Sequence, residues 1–235
     1  MISTIIPVYN AASYIAEAVD SVLEQTVRSD ELIVVDDGST DDTALVLRRY
    51  RGRIRYLHQP NQGHGAALNR GLAEAKGDLL AFLDADDVWM PWKLEVQLAA
   101  LAADPELDLV FGKTRQFRSP ELAPSVAASL VCDDKLQPSP LISNLLVRRR
   151  VFDRVGPIGA TGLSSFVEWY LRTLEAGLRH KFVAEHITNR RIHTANTTLK
   201  HKEVRREYLQ LLKASLDRRR AGGALVARRL ASDVA

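Results

Sequence analysis

Leu79-Leu80-Ala81-Phe82-Leu83-Asp84-Ala85-Asp86-Asp87 is the stretch that decides the fold of this chain. Its five leading apolar residues have the length of a strand and no polar face, the pattern of a strand covered on both sides. Three carboxylates follow at once, where such a strand must emerge to water. Towards the N-terminus, short runs rich in Ile, Val and Leu alternate with helical periodicity. Ile2 to Val8, Glu31 to Val35 and Ile54 to His58 read as strands, and Ala12 to Glu24, Asp42 to Tyr50 and Ala66 to Ala75 as helices. Pro91 to Ala103 is the helix after the central run. Strands apolar on both faces and joined by helices predict an α/β sandwich of three layers, its central sheet mostly parallel and its crossovers right-handed. Ser39, Thr40 and Asp41 offer N-cap oxygens to the second helix, and Pro91 suits the first turn of the fourth.

Towards the C-terminus the pattern loosens. Leu107 to Phe111 and Ser143 to Val147 read as strands, and Phe166 to Ala176 as an amphipathic helix. Ser119 to Pro140 carries several prolines and no clear period, and reads as loop. Glu203 to Arg220 reads as a terminal helix in a basic segment: ten Lys and Arg residues lie between Lys200 and Arg229, against Glu203, Glu207, Asp217 and Asp233. A solvated helix face accounts for that charge, and contact with an anionic membrane surface is the alternative. Without interleaved aromatics or a reading motif, nucleic acid is not an expected partner. The chain of 235 residues reads as one domain over 1–200 with a helical extension over 201–235. Cys132 is its single cysteine, which excludes an internal disulfide and a Cys-based zinc or redox centre. With no secretory signal in Met1 to Asn10 and no span-length apolar run, the expected location is cytoplasmic, with peripheral contact at the inner membrane face as the variant.

In open α/β sheets ligands sit beyond the carboxyl ends of the strands. The loops to watch are therefore Pro7 to Asn10, Asp36 to Asp42 and Asp84 to Asp87. Hard divalent ions such as Mg²⁺ or Mn²⁺ take oxygen ligands and often keep phosphates as the rest, so clustered carboxylates at Asp84, Asp86 and Asp87 can hold a metal diphosphate. Like charges crowded at a strand end are costly without a cation, which weighs against a mere capped turn. Asp36 and Asp37 close the second strand in the same manner, and a carboxylate there can accept hydrogen bonds from a base or ribose. Gly63-His64-Gly65-Ala66-Ala67-Leu68-Asn69-Arg70 starts a helix with small residues, where free N–H groups favour phosphate. It is neither GxGxxG nor a Walker sequence, so a dinucleotide dehydrogenase or P-loop ATPase is not supported.

Taken in order, Ile5-Ile6-Pro7-Val8-Tyr9-Asn10, Val34-Val35-Asp36-Asp37-Gly38-Ser39-Thr40-Asp41, Asn61-Gln62-Gly63 with Ala67-Leu68-Asn69, and Leu83-Asp84-Ala85-Asp86-Asp87 resemble family 2 glycosyltransferases, which have the GT-A fold. The resemblance covers the first half of the chain most closely. It implies a metal-dependent enzyme that moves a sugar from a nucleoside-diphosphate donor to an acceptor hydroxyl, with inversion at the anomeric carbon and Mg²⁺ or Mn²⁺ as cofactor. Pro7, Val8, Tyr9, Asn10, Asp36, Asp37, Gly65, Asn69, Asp84 and Ala85 would then contact the nucleotide sugar. Asp86 would be the principal metal ligand of the DxD motif.

In the second half, many members place a Glu-Asp pair before a Trp and an Arg on a helix, the Asp being the catalytic base. Phe166-Val167-Glu168-Trp169-Tyr170-Leu171-Arg172 has a single acid and resembles a WYxR variant of a bacterial subgroup. Glu168 is the base this implies, an exposed helical Glu being the alternative. Arg190-Arg191-Ile192-His193 with Asn196 resembles the segment where a His reaches the metal or diphosphate and Arg forks bind phosphate. Two rivals stay open. Asp84 to Val88 also fits the DxDx[TV] pattern of haloacid-dehalogenase-type phosphatases, although three βα units precede it here, and a binding protein that kept the donor pocket without the base fits the missing acid pair.

Overall fold

The computed structural model describes residues 1–159, 165–196 and 210–218. In chain order the elements are β1 (Ile2–Val8), α1 (Ile15–Leu23), β2 (Glu31–Asp36), α2 (Thr43–Leu47), β3 (Arg55–His58), α3 (His64–Glu74), β4 (Leu79–Phe82), β5 (Val88–Trp89) and α4 (Lys93–Ala103). There follow β6 (Leu109–Arg118), α5 (Pro124–Ser129), β7 (Gln137–Pro138), β8 (Leu146–Arg148), α6 (Arg150–Val155), α7 (Ser165–Glu175) and β9 (His180–Ile192). One sheet runs in the order β3-β2-β1-β4-β8-β6-β9-β5, with β7 on β6. β3, β2, β1 and β4 are mutually parallel, and β9 runs parallel to β6. β8 is antiparallel to both β4 and β6, and so joins a regular parallel half to a mixed half.

The alternation of side chains along each strand divides the interior into two cores. Ile6, Val8, Leu32, Val34, Ala81 and Leu83 face α1, α2 and α4. Their neighbours Ile5, Ile33, Val35, Leu80 and Phe82 face α3, α6 and α7. This is the three-layer sandwich expected from strands apolar on both faces. One close approach fixes a layer spacing: a Cβ on Gly71 of α3 would lie 2.5 Å from Ile5 Cγ2.

The parallel half follows the sequence expectation within a few residues at each boundary. The mixed half departs from it. The strand expected to end at Phe111 runs on to Arg118, and α5 and β7 lie inside the stretch read as loop. β9 was not legible at all. Its pairing to β6 shifts register between Phe111 and Lys113 and again between Lys113 and Thr114, so no clean two-residue alternation survives in His180–Ile192. Of the terminal helix expected over Glu203 to Arg220, residues 210–218 are helical and Arg218 pairs with Glu175 of α7 at 2.9 Å. The remainder, with most of the 201–235 extension, lies outside the described residues. Among the described residues no helix is long and apolar enough to cross a membrane.

Candidate active site

Parallel strands place their carboxyl ends together, so the loops after β1, β2 and β4 meet along one edge of the sheet. Pro7 and Val8 are still within β1 and buried, while Tyr9 stands 50 % exposed at the strand mouth. Asn10 adopts a left-handed backbone (φ 49°) that ties two loops together. Its Oδ1 accepts the N–H of Thr40 at 2.7 Å, and its own N–H donates to Ser39 Oγ at 3.0 Å. Asp41 takes the N–H groups of Ala12 and Thr43.

The acid pair after β2 points inward. Asp36 Oδ1 accepts Ser39 N–H at 2.8 Å, and Oδ2 accepts the Tyr56 hydroxyl at 2.7 Å. Burial, with that carboxylate alongside, pushes the Tyr56 phenol up and keeps it a donor. Asp37 Oδ1 accepts Gln59 Nε2 (2.7 Å) and Gln62 N–H (2.9 Å), and Oδ2 accepts Gly63 N–H (2.8 Å). Both carboxylates are buried; Asp36 closes its own turn and ties it to β3, and Asp37 fastens the loop that leads into α3. Gly38, at φ 77°, is needed because a Cβ there would sit 2.8 Å from Asn61 N.

The turn after β4 is held differently. It closes through Asp87 N–H to Asp84 O at 3.1 Å. Asp87 is 4 % exposed; Oδ2 accepts the Ser143 hydroxyl (2.9 Å) and Oδ1 the Arg191 N–H (3.1 Å). Burial, then the charges of Asp86 and Asp84, drives its carboxyl well above the usual range. Ser143 Oγ also receives Asp84 N–H at 3.1 Å, so one hydroxyl pins both ends of the turn. Asp84 Oδ1 meets His64 Nε2 at 2.9 Å. Burial opposes the Asp84 charge, but the His64 and Ser143 hydrogen bonds and the nearby Arg190 hold its carboxyl below the ordinary value. Burial likewise opposes a charged His64, and the bond and charge of Asp84 outweigh it and raise the imidazole.

Asp86 is partly exposed, its side chain at 28 % beside 33 % for Asp84. Oδ2 meets His193 Nε2 at 3.0 Å and accepts Asn196 Nδ2–H at 3.1 Å. Oδ1 takes no hydrogen bond among the described residues. Among those residues no three His, Cys, Asp or Glu side chains are grouped as a ready-made ligand cage. A Mg²⁺-like ion does not need one, since it binds through one or two carboxylates with substrate phosphates and waters. An acid with one oxygen oriented and the other open fits that requirement.

Of the two arginines read as phosphate forks, Arg191 is buried. Its Nε donates to Asp86 O at 3.0 Å, a terminal nitrogen pairs with Glu17, and its guanidinium packs on the rings of Phe117 and Tyr14. It braces the turn from behind. Arg190 is less buried, and its charge acts on both Asp84 and Asp87. Tyr14 packs against His193, with ring centroids 4.6 Å apart and planes tilted by 38°, and donates to Glu121 Oε1 at 2.6 Å. Burial and that glutamate raise its phenol to about 12.

Other sequence-derived candidates have structural duties in plain view. Asn69 spends both ends of its amide on Ile158, donating to its O at 2.6 Å and accepting its N–H at 3.1 Å. Gly65 is buried in the first turn of α3. Glu168 lies on α7 one turn before Arg172, at 3.0 Å, and Arg172 also donates to Pro157 O at 2.6 Å. Ser143 escaped the sequence reading, because a serine opening an apolar run carries no signal of what its hydroxyl will meet across the sheet.

Comparison with known proteins identifies the family and the fold. The family described as Glycosyl transferase family 2 matches residues 3–154. An uncharacterised glycosyltransferase of Nostoc sp. is 34 % identical over 211 residues, which cover 83 % of this chain and 66 % of that protein. Among solved structures, S. aureus TarS 1–349 in complex with UDP-GlcNAc aligns with a TM-score of 0.70 at 18 % identity, over 91 % of this chain and 65 % of its own. Glucosyl-3-phosphoglycerate synthase of Mycobacterium tuberculosis, solved with Mn²⁺, UDP and glucosyl-3-phosphoglycerate, aligns at 0.65 with 22 % identity, over 92 % of this chain and 79 % of its own. The chain thus spans just under two thirds of the Nostoc protein and of TarS 1–349, and 36 % of the longer TarS chain.

Proposed function

This chain belongs to glycosyl transferase family 2, and from that premise we propose that it transfers a sugar from a nucleoside-diphosphate donor to an acceptor hydroxyl at the mouth of β4. The observation that carries the reading is Asp86: a carboxylate at the end of a buried strand, one oxygen fixed by two side chains and the other open, beside a second open-edged acid, Asp84. That the solved relatives of this fold include complexes with UDP-GlcNAc and with Mn²⁺ and UDP supports a nucleotide-sugar donor and a divalent cation.

In this reading Asp86 would hold Mg²⁺ or Mn²⁺, which would supply positive charge to stabilise a departing diphosphate by on the order of several kcal/mol. Tyr9 offers an aromatic face at the rim for the base. Pro7, Val8 and Asn10 shape the wall beneath it, Asn10 by holding the 39–41 loop. Asp36 and Asp37 act on the nucleotide through the backbone they organise, and Gly65 and Asn69 through the seating of α3 against the 156–158 loop. Asp84 and Ala85 floor the sugar site, and Arg190 adds a cation for the diphosphate. Glu168, oriented by Arg172, takes the acceptor proton in a direct displacement that inverts the anomeric carbon, without a covalent sugar intermediate.

A ligand that binds only the folded state raises its stability. In a thermal-unfolding screen of nucleoside diphosphates with and without Mn²⁺, one diphosphate is expected to raise the melting temperature strongly with the metal and weakly without it. A screen in which no diphosphate acts, or in which the metal makes no difference, would remove this reading.

A further inference from the structure

The mixed half of the sheet carries a cavity of about 80 Å³ that the donor reading leaves unassigned. The pleat builds it. Gln137 of β7 stands opposite Thr114 of β6, and Gln116 of β6 stands opposite Arg190 of β9, so these side chains share one face. Asp133 and Lys135, in the segment that leads into β7, line it as well. Two of its borders lie next to supports of the acidic turn. Leu141 comes just before Ser143, which holds Asp84 and Asp87, and Arg190 just before Arg191, whose N–H meets Asp87. In the strand order, β6, β7 and β9 lie on the side of β4 away from β1 and β2. The nucleotide belongs over β1 and β2 in the reading above, so what enters this cavity is the acceptor.

The lining is rich in donors. Thr114 is buried, and its Oγ1 already accepts Asn144 Nδ2–H at 2.6 Å, while its own O–H has no acceptor among the described residues. Gln116 spends its Oε1 on the Asp133 N–H at 3.0 Å, which leaves its NH₂ to the cavity. Lys135 forms no ion pair among the described residues. The one acid is committed elsewhere: Asp133 Oδ1 accepts Lys135 N–H at 3.1 Å, and Oδ2 accepts the Gln137 amide. A carboxylate thus shapes the loop, and a hydroxyl, an amide and an ammonium are left for a ligand, with the Arg190 guanidinium at the border. A buried donor without an acceptor costs free energy that a ligand oxygen recovers, and charged oxygens take such donors in the strongest hydrogen bonds. The space holds a few waters, and so an anionic group rather than a whole sugar ring.

We propose that this cavity is the subsite for an anionic oxygen group on the acceptor, a phosphate or a carboxylate, held by the Thr114 hydroxyl, the Gln116 amide and the Lys135 ammonium. The inference rests on the transfer reading given above and adds a substrate class to it: the acceptor is a hydroxyl compound that also bears an anion. A site built to hydrogen-bond a group rejects the analogue that lacks it, because its donors are then left without partners. Glycerol should therefore be a poor ligand where glycerol 3-phosphate or glycerate is a good one.

Calorimetric titration of glycerol 3-phosphate, glycerate and glycerol into the full-length chain, saturated with Mn²⁺ and the diphosphate selected by the stability screen, tests this. One of the two anions is expected to bind at least about tenfold more tightly than glycerol, and the tighter of them names the group. Thr114→Val, which keeps the shape and removes the hydroxyl, and Lys135→Ala should each weaken that anion about tenfold, while Mn²⁺-dependent diphosphate affinity stays within about twofold. Equal binding of all three compounds, binding of none, or an anion affinity that neither variant moves overturns the proposal. So does a loss of diphosphate affinity in both variants, which would give the cavity to the donor. Lys135 is exposed, so its variant keeps the test standing even where Thr114→Val fails to fold. A parent chain that binds no diphosphate in the presence of Mn²⁺ fails one step earlier and overturns the transfer reading itself.

Discussion

The two acidic turns of this sheet edge are alike in sequence and opposite in structure. After β2, Asp36 and Asp37 receive backbone N–H groups, a phenol and an amide; Asp37 alone takes three donors over both of its oxygens. After β4, only the buried Asp87 is satisfied on both oxygens, while Asp86 is held by one and keeps the other. A count of acids does not separate a loop staple from a cation site. The lone pairs left over do.

Because the turns differ in this way, one chemical change made in both should have opposite consequences. Asp86→Asn can turn its amide oxygen to His193 and Asn196 and keep the fold, but it offers the cation an amide. Turnover should fall about 10³-fold, equivalent to about 4 kcal/mol of lost transition-state stabilisation, in a donor-turnover assay, with the melting temperature nearly unchanged. Glu168→Gln lies outside both turns and sharpens the contrast. It should lower turnover about 10²-fold, in line with loss of a general base, while metal-dependent nucleotide binding stays as in the parent. Unchanged turnover would take Glu168 out of the mechanism.

Asp37→Asn should show the reverse pattern to Asp86→Asn. Neither orientation of the new amide avoids setting an NH₂ against a donor, because Oδ1 faces Gln59 and Gln62 and Oδ2 faces Gly63. Urea unfolding should report a loss of about 2–3 kcal/mol. A fully stable Asp37→Asn chain with weakened nucleotide binding would break the comparison.

The smallest effect concerns what stands behind the second turn. Lys93 is wholly buried, its Nζ donating to Gln97 Oε1 at 2.7 Å and lying 4.0 Å from the centre of the Trp89 ring. Gln97 in turn donates to Asn144 O at 2.7 Å, and Trp89 Nε1 donates to Ser143 O at 2.7 Å, so this network seats the serine that pins the turn. Burial holds the Lys93 ammonium well below its usual pKa of 10.5. Between that lowered value and 10.5 the unfolded chain binds more protons than the folded one, so stability rises with pH through this window and levels off above it. Lys93→Met should flatten the rise, as read by urea midpoints from neutral pH upwards.

The same contrast explains what the sequence disclosed. In the parallel half, β1, β2 and β4 are largely apolar on both faces and their acids lie at or just beyond the carboxyl ends, so Ile2–Val8, Glu31–Asp36 and Leu79–Phe82 could be read one by one. In the mixed half, structure depends on partners far along the chain. β9 lies beside β6 with a shifting register, and β5 is two residues long. The site residues divide likewise. Asp86 and His193 were legible as chemistry, but the role of Asp87 depends on Ser143, 56 residues away. A hydrogen bond made across a sheet leaves no periodicity to read.

The central claim is that the cation belongs to the open oxygen of Asp86. A crystal of the chain grown with Mn²⁺ and the diphosphate selected by the stability screen, measured at the manganese absorption edge, tests it most directly. The account predicts one anomalous peak bonded to Asp86 Oδ1 and to diphosphate oxygens. A peak lodged between Asp36 and Asp37, or no peak at the mouth of β4, would contradict it.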